Sequence, residues 1–164
     1  MKTLSNHREA TPTEYKQTLF RSKTEAIFAR ALDLAGHLWE YEPKHYSHPS
    51  GWVPDFDIIS RAYRSDADDE QLKWRLFFMC LELKPSEPTR AYLDTLSRRF
   101  MDLQDRLVGV SECLIVCNPF EPEEPRLLLN HCQGEWTEVG GKMTGRFFGF
   151  VDEARKFRFD LKSL

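Results

Sequence analysis

The sequence predicts one α/β domain, with a central mixed sheet flanked by helices, and three stretches carry that expectation. Residues 22–35 set Ala26, Ile27, Ala29, Ala31 and Leu34 at helical spacing, with Ser22 as a capping residue and Gly36 just past the end. Residues 74–83 hold Leu76, Phe77, Phe78, Met79, Cys80 and Leu81 in unbroken succession, the pattern of a strand buried on both faces. Residues 89–107 bring Tyr92, Leu93, Leu96, Phe100, Leu103 and Leu107 onto one stripe of a long helix, which follows the strand-stopping Pro85 and Pro88.

The remaining elements follow from local chemistry. Residues 1–17 are polar and aperiodic and read as a flexible arm, which leaves 18–164 as the domain. Residues 37–45 and 51–59 read as two strands of a hairpin, separated by the turn-rich Ser47-His48-Pro49-Ser50-Gly51. Residues 60–72 are charged, without apolar periodicity, and read as an exposed connection. Residues 112–118 form a short buried strand, residues 119–125 a proline-acid loop, and residues 126–131 a further strand at an edge. Toward the end, residues 145–150 read as a strand and 152–157 as a short helix. The predicted order through the middle of the chain is α-β-β-β-α-β.

Bulk properties narrow the function classes. An apolar share of 41% and a charged share of 30% over 164 residues suit one globular domain with a genuine core. No apolar run approaches the roughly 18 to 20 residues of a membrane span. The first eight residues lack the apolar core of a secretory signal. Cys80, Cys113, Cys117 and Cys132 lack the spacing of a disulfide scaffold. The expected location is therefore cytoplasmic, with reduced thiols and no membrane partner. A net charge of −3, with Asp66, Asp68, Asp69 and Glu70 in one loop, weighs modestly against a nucleic-acid partner. A local basic face can nonetheless act while acidic residues gather elsewhere.

The chemistry concentrates in Pro54-Asp55-Phe56 and Glu82-Leu83-Lys84. Residues two apart on a strand share a face, so Glu82 and Lys84 point the same way. If the strand of Asp55 lies beside theirs, two carboxylates and an amine converge. Two carboxylates form a hard oxygen site suited to Mg²⁺ or Mn²⁺, and a lysine beside it can orient water or steady a reacting phosphate. Asp57, two residues beyond Asp55, is a further candidate ligand. The bland alternatives are a turn-forming Asp55 and an exposed Glu82–Lys84 ion pair. Against them, charges at the end of so apolar a strand need partners there.

Taken with Phe20-Arg21-Ser22-Lys23-Thr24-Glu25-Ala26 and Trp39-Glu40-Tyr41-Glu42-Pro43, this ordered set resembles the PD-(D/E)XK nuclease superfamily, in particular its small phage and mobile-element endonucleases. The resemblance covers residues 19 to about 120. It implies a restriction-endonuclease-like αβββαβ core and a Mg-dependent endodeoxyribonuclease, with Mn²⁺ able to substitute. In that reading Asp55 and Glu82 hold the metal, aided by Glu25 and the backbone carbonyl of Leu83, and Glu25, Asp55, Glu82 and Lys84 form the catalytic set. Ser22-Lys23-Thr24-Glu25 is also a capping box, which accounts for Glu25 on structural grounds alone. The implied work is recombination, transposition or phage DNA processing, in a prokaryotic or phage-infected cell.

Arg21, Lys23, Arg98 and Arg99 are the candidate DNA contacts, with Arg90, Lys142, Arg146, Arg155, Lys156 and Arg158 as further cations. No fused recognition domain is visible, which points to structure-selective cutting or to a partner protein that selects the target. A homodimer would suit two-strand cleavage. The competing class is a catalytically silent nucleic-acid- or protein-binding module on a nuclease fold, and RNA is an open alternative to DNA. Cys113, Cys117, His131 and Cys132 have zinc-ligand chemistry. However, the first two fall within an apolar strand, and adjacent His131 and Cys132 point to opposite faces.

Overall fold

The computed structural model describes residues 10–43, 52–63, 74–106, 110–117, 120, 126–132 and 134–161. Its first strands, β1 (Thr13–Tyr15) and β2 (Thr18–Phe20), form a small hairpin. Helix α1 (Lys23–Leu34) follows, opened by a complete capping box. The Ser22 hydroxyl accepts from the Glu25 amide at 3.3 Å, and the Glu25 carboxylate accepts from the Ser22 amide at 2.9 Å. Gly36, at φ +79°, takes the left-handed conformation that ends the helix.

Strands β3 (Leu38–Tyr41), β4 (Phe56–Tyr63) and β5 (Trp74–Lys84) form an antiparallel meander. Helix α2 (Arg90–Arg106) then crosses over to β6 (Val110–Cys117), which lies parallel to β5. Strands β7 (Leu127–Cys132) and β8 (Glu135–Glu138) extend the sheet antiparallel. The six-stranded order is β3-β4-β5-β6-β7-β8. Helix α3 (Lys142–Arg155) leads to β9 (Asp160–Leu161), which pairs with β1 in a second, three-stranded sheet ordered β2-β1-β9.

Alternation along the central strands builds a core on each face of the large sheet. Phe56, Ile58, Leu81 and Val116 pack with α1 and α3 through Ala26, Phe28, Leu32, Phe148, Val151 and Ala154. On the opposite face Cys80, Cys113, Ile115 and Cys117 pack with α2 through Leu96, Phe100 and Leu103. With two residues per repeat, Glu82 is forced onto the α2 face with Cys80, while Leu81 goes to the other. No helix among the described residues is long and apolar enough to cross a membrane.

Several expectations are revised. The polar N-terminal segment is structured from Thr13, because Lys16 (φ 49°) and Gln17 (φ 64°) make a two-residue turn with both residues left-handed. That turn type is normally signalled by Asn-Gly, which this sequence lacks. Lys16 compensates with a 2.8 Å ion pair to Asp33. Residues 145–150 are helical and not a strand, and α3 absorbs most of the short helix expected after them. Phe147, Phe148, Val151 and Ala154 recur at helical spacing, a signal masked by the aromatic run. β7 is interior, since β8 covers its outer side. β4 continues to Tyr63, so part of the expected connection is strand; residues 64–73, including the acidic loop, lie outside the described set.

Two predictions follow from this packing. Gly149 is exposed within α3, and a Cβ built there meets nothing within 4 Å. Gly149→Ala should therefore stabilise the fold by about 0.5–1 kcal/mol in urea denaturation. His131 is 1% exposed on β7, between the rings of Phe100 and Trp136. Burial lowers its pKa below the ordinary histidine value of 6.5, an effect only partly offset by the Gly134 backbone. The unfolded chain thus takes up a proton at a pH where the folded chain does not, and stability falls as pH drops below 6.5. His131→Leu should shrink that loss without abolishing it, because burial also lowers His37.

Candidate functional site

The site forms where β4 begins and β5 ends. Asp55 stands one residue before β4, not within it, and the register Phe56↔Leu81 sets it opposite Glu82. The Asp55 carboxylate accepts the backbone amide of Leu83 through Oδ2 at 2.8 Å. The Leu83 group described at this point is therefore a donor to Asp55. Burial, and after it the charge of Glu82, push the Asp55 carboxyl up to about 6 against the opposing effects of the Leu83 amide and Lys84. Two carboxylates thus share a poorly solvated pocket, in which the charge of Glu82 adds to the cost of ionising Asp55.

Glu82 is only 4% exposed, and both of its oxygens are engaged. The indole of Trp52 donates to Oε1 at 2.6 Å, and the Lys84 ammonium lies 3.0 Å from Oε2. Lys84 also stands 4.9 Å over the ring of Tyr92, in the first turn of α2. Burial disfavours the ammonium, but Glu82 and the Tyr92 hydroxyl outweigh it, and its pKa rises above the ordinary lysine value. Lys84 is accordingly a fixed positive charge at neutral pH and not a proton acceptor.

From the other side, the capping box delivers Glu25 to the same end of the sheet. Its Oε2 accepts from the Tyr41 hydroxyl at 3.0 Å as well as from the Ser22 amide. Burial and the Glu25 charge push Tyr41 up to about 12, so that hydroxyl stays protonated and donates. Arg21 bridges the two halves. Its Nη2 lies 3.0 Å from Glu25 Oε1 and 2.9 Å from Asp55 Oδ1, while Nε lies 3.0 Å from Glu42 Oε1. The Tyr41 oxygen accepts from Arg21 Nε at 3.2 Å. Burial opposes the guanidinium charge, but Tyr41, Glu25 and Glu42 together raise its pKa further.

The structure therefore brings together Glu25, Asp55, Glu82, Lys84 and Arg21, and adds Tyr41, Glu42, Trp52 and Tyr92. Two of the added four carry a legible sign: Trp52 sits three residues from Asp55, and Tyr41 alternates inward on β3. Nothing local marks them as partners of specific carboxylates. Asp57 lies two positions further along, inside β4 and opposite Cys80. It is 2% exposed on the α2 face, with Cys80 Sγ 3.7 Å from its Oδ1.

The other candidates lie apart. Lys23 is exposed at the start of α1. Arg98 and Arg99 line an open groove of about 580 Å³ on α2, in company with Asp102 and Asp105, so that surface is mixed in charge. Cys113 and Cys117 are fully buried. Burial, reinforced by Cys80 and Glu82, pushes the Cys113 thiol well above its ordinary value. Among the described residues no three His, Cys, Asp or Glu side chains converge as a metal-ligand cluster; the Cys132 side chain is not among them.

Comparison with protein families, with curated proteins and with solved structures finds no match to this chain.

Removing the Trp52 indole nitrogen tests the pocket itself. Trp52→Phe leaves a buried carboxylate oxygen without its donor and should cost about 1.5–3 kcal/mol in urea denaturation at neutral pH.

Proposed function

We propose that this chain is a metal-dependent endonuclease acting on DNA, built on a restriction-endonuclease-like αβββαβ core. The observation that carries the reading is the opposition of Asp55 and Glu82 across adjacent strands, with Lys84 locked beside them. The element order α1-β3-β4-β5-α2-β6, with an antiparallel meander joined to one parallel strand by α2, supports the core assignment.

The donor set suits Mg²⁺ or Mn²⁺. Two adjacent, poorly solvated carboxylates, one raising the cost of ionising the other, are what a hard divalent cation relieves. Glu25 lies across Arg21 from Asp55, and with Arg21 in place the three do not converge as a ligand cluster. Asp55 and Glu82 would hold the ion, with Glu25 in support. Bound there, it would supply Lewis acidity toward a phosphodiester oxygen and lower the pKa of a water. Lys84 contributes a permanent charge that Glu82 and Tyr92 keep in place, suited to orienting the attacking water or countering charge on the phosphate. The Leu83 amide keeps the Asp55 carboxylate from rotating, which fixes the direction in which Oδ1 presents itself. Neither arginine nor lysine at this site distinguishes DNA from RNA, and the choice of DNA rests on the resemblance. Recombination, transposition or phage DNA processing is the proposed setting, with target choice left to DNA structure or to a partner protein.

One observation favours a second reading, a catalytically silent binding module. Arg21 already neutralises Asp55 and Glu25, as a chain with no need of a metal would require.

The two readings separate on supercoiled, branched, flapped and single-stranded DNA with Mg²⁺, Mn²⁺ or chelator. The nuclease reading predicts metal-dependent cutting that falls by at least about 100-fold in both Lys84→Ala and Asp55→Asn, from the loss of charge stabilisation at the reacting phosphate. Binding without cleavage under every metal condition favours the silent module.

A further inference from the structure

We infer that Arg21 is a resident counter-cation of this site, held on Asp55 and Glu25 in the absence of metal, and that a divalent ion enters by displacing it. The inference rests on the metal-site reading above and goes beyond it by naming what the ion competes with.

A single nitrogen, Nη2, is shared between Asp55 Oδ1 at 2.9 Å and Glu25 Oε1 at 3.0 Å. Those oxygens come from different elements, α1 and the start of β4, and a cation accepting one oxygen from each would occupy the same ground. Guanidinium and metal cannot both sit there, because both are cations and both need the Asp55 oxygen that faces away from the Leu83 amide.

Exposure decides which partner moves. The Arg21 side chain is 61% exposed, against 10% for Glu25 and 13% for Asp55. The carboxylates are fixed by the Ser22 amide, the Tyr41 hydroxyl and the Leu83 amide, so they stay. The arginine has a position to fall back on. Glu42, 42% exposed, already binds Nε at 3.0 Å and can retain the guanidinium after Nη2 lets go. Lys84 is not equivalent, since Glu82 and Tyr92 already hold it and its side chain is only 27% exposed.

The test uses the full chain without DNA. Mn²⁺ affinity is measured by calorimetry on the parent protein, Arg21→Ala and Asp55→Asn. Separately, the Arg21 Nη2–H resonance of the parent protein, the group held by Asp55 and Glu25, is followed by NMR as Mg²⁺ is added. Arg21→Ala should bind Mn²⁺ at least about fivefold more tightly, because no cation has to leave and a like charge is gone. Mg²⁺ should move the Arg21 resonance toward that of a solvent-exposed arginine. If the parent protein binds Mn²⁺ and Arg21→Ala binds equally or less well, the displacement is wrong and the metal site stands. If neither binds, the metal reading falls and the inference with it. Binding that survives Asp55→Asn puts the ion elsewhere and also overturns the inference. Should Arg21→Ala fail to fold by circular dichroism, the NMR titration decides alone, and an unmoved Arg21 resonance at saturating Mg²⁺ rejects the displacement.

Discussion

The arrangement at the sheet end follows from one electrostatic difficulty, the enforced proximity of Asp55 and Glu82. Strand pairing sets them opposite each other, and α2 and Trp52 keep Glu82 out of water. Left alone, such a pair would lose a charge or loosen the strand end. The surrounding residues each remove part of the problem. Lys84 and the Trp52 indole take the two oxygens of Glu82, while the Leu83 amide and Arg21 take those of Asp55. Every contact is charge-assisted or made to a charged acceptor, the class of hydrogen bond with the largest individual contributions. A chain selected for stability alone would more readily place apolar residues at these two positions. Two such carboxylates, at the end of a strand whose remaining sequence is so apolar, are the physical basis for the functional reading proposed for this site.

The fold supplies the two conditions that this proximity needs. A two-residue side-chain period puts Leu81 in one core and Glu82 in the other, so one strand serves packing and chemistry without compromise. The capping box does similar double duty. Glu25 satisfies the orphan amide of Ser22, as it would in any helix of this kind, and the same carboxylate remains available to Tyr41 and Arg21 through its second lone pairs and second oxygen. The structural and the functional accounts of Glu25 are therefore compatible, because a carboxylate has more acceptor capacity than the cap consumes.

How much could be read in advance depended on whether a signal was local. The apolar run before Glu82, the cap at Ser22 and the stripe of α2 are each complete within one segment, and each appears where expected. The first hairpin was invisible because Lys16 and Gln17 adopt left-handed backbone without the residues that advertise it, and their turn is held by Asp33 on a different element. Helix α3 was masked because Phe147, Phe148 and Phe150 crowd together like a strand, and its helical face becomes evident only with α1 as its partner. At the site, Asp55, Glu82 and Lys84 are legible from spacing and Glu25 from the resemblance, whereas Glu42 is not, nor are the roles of Trp52, Tyr41 and Tyr92. Those roles arise across 30, 16 and eight positions of sequence respectively, and no local pattern encodes which charged group an aromatic side chain will meet. Arg21 was legible as a cation but not as the partner of Asp55, for the same reason.

The balance of charge at the sheet end explains why an overall acidic chain need not exclude an anionic substrate. Glu25, Glu42, Asp55 and Glu82 face Arg21 and Lys84, leaving two negative charges uncompensated. On the proposed metal-site reading one divalent ion would balance that remainder, and displacing Arg21 toward Glu42 would alter its position without removing its charge. A phosphodiester arriving next would meet a neutralised pocket with Lys84 on one side and a partly exposed guanidinium on the other. The net charge of the whole chain governs long-range approach, which salt screens within about 10 Å at 0.1 M ionic strength. The few charges within contact distance govern what is held. On the proposed metal-site reading, affinity for a phosphate would be decided at this second scale, where one divalent ion would take the site from two negative charges to none.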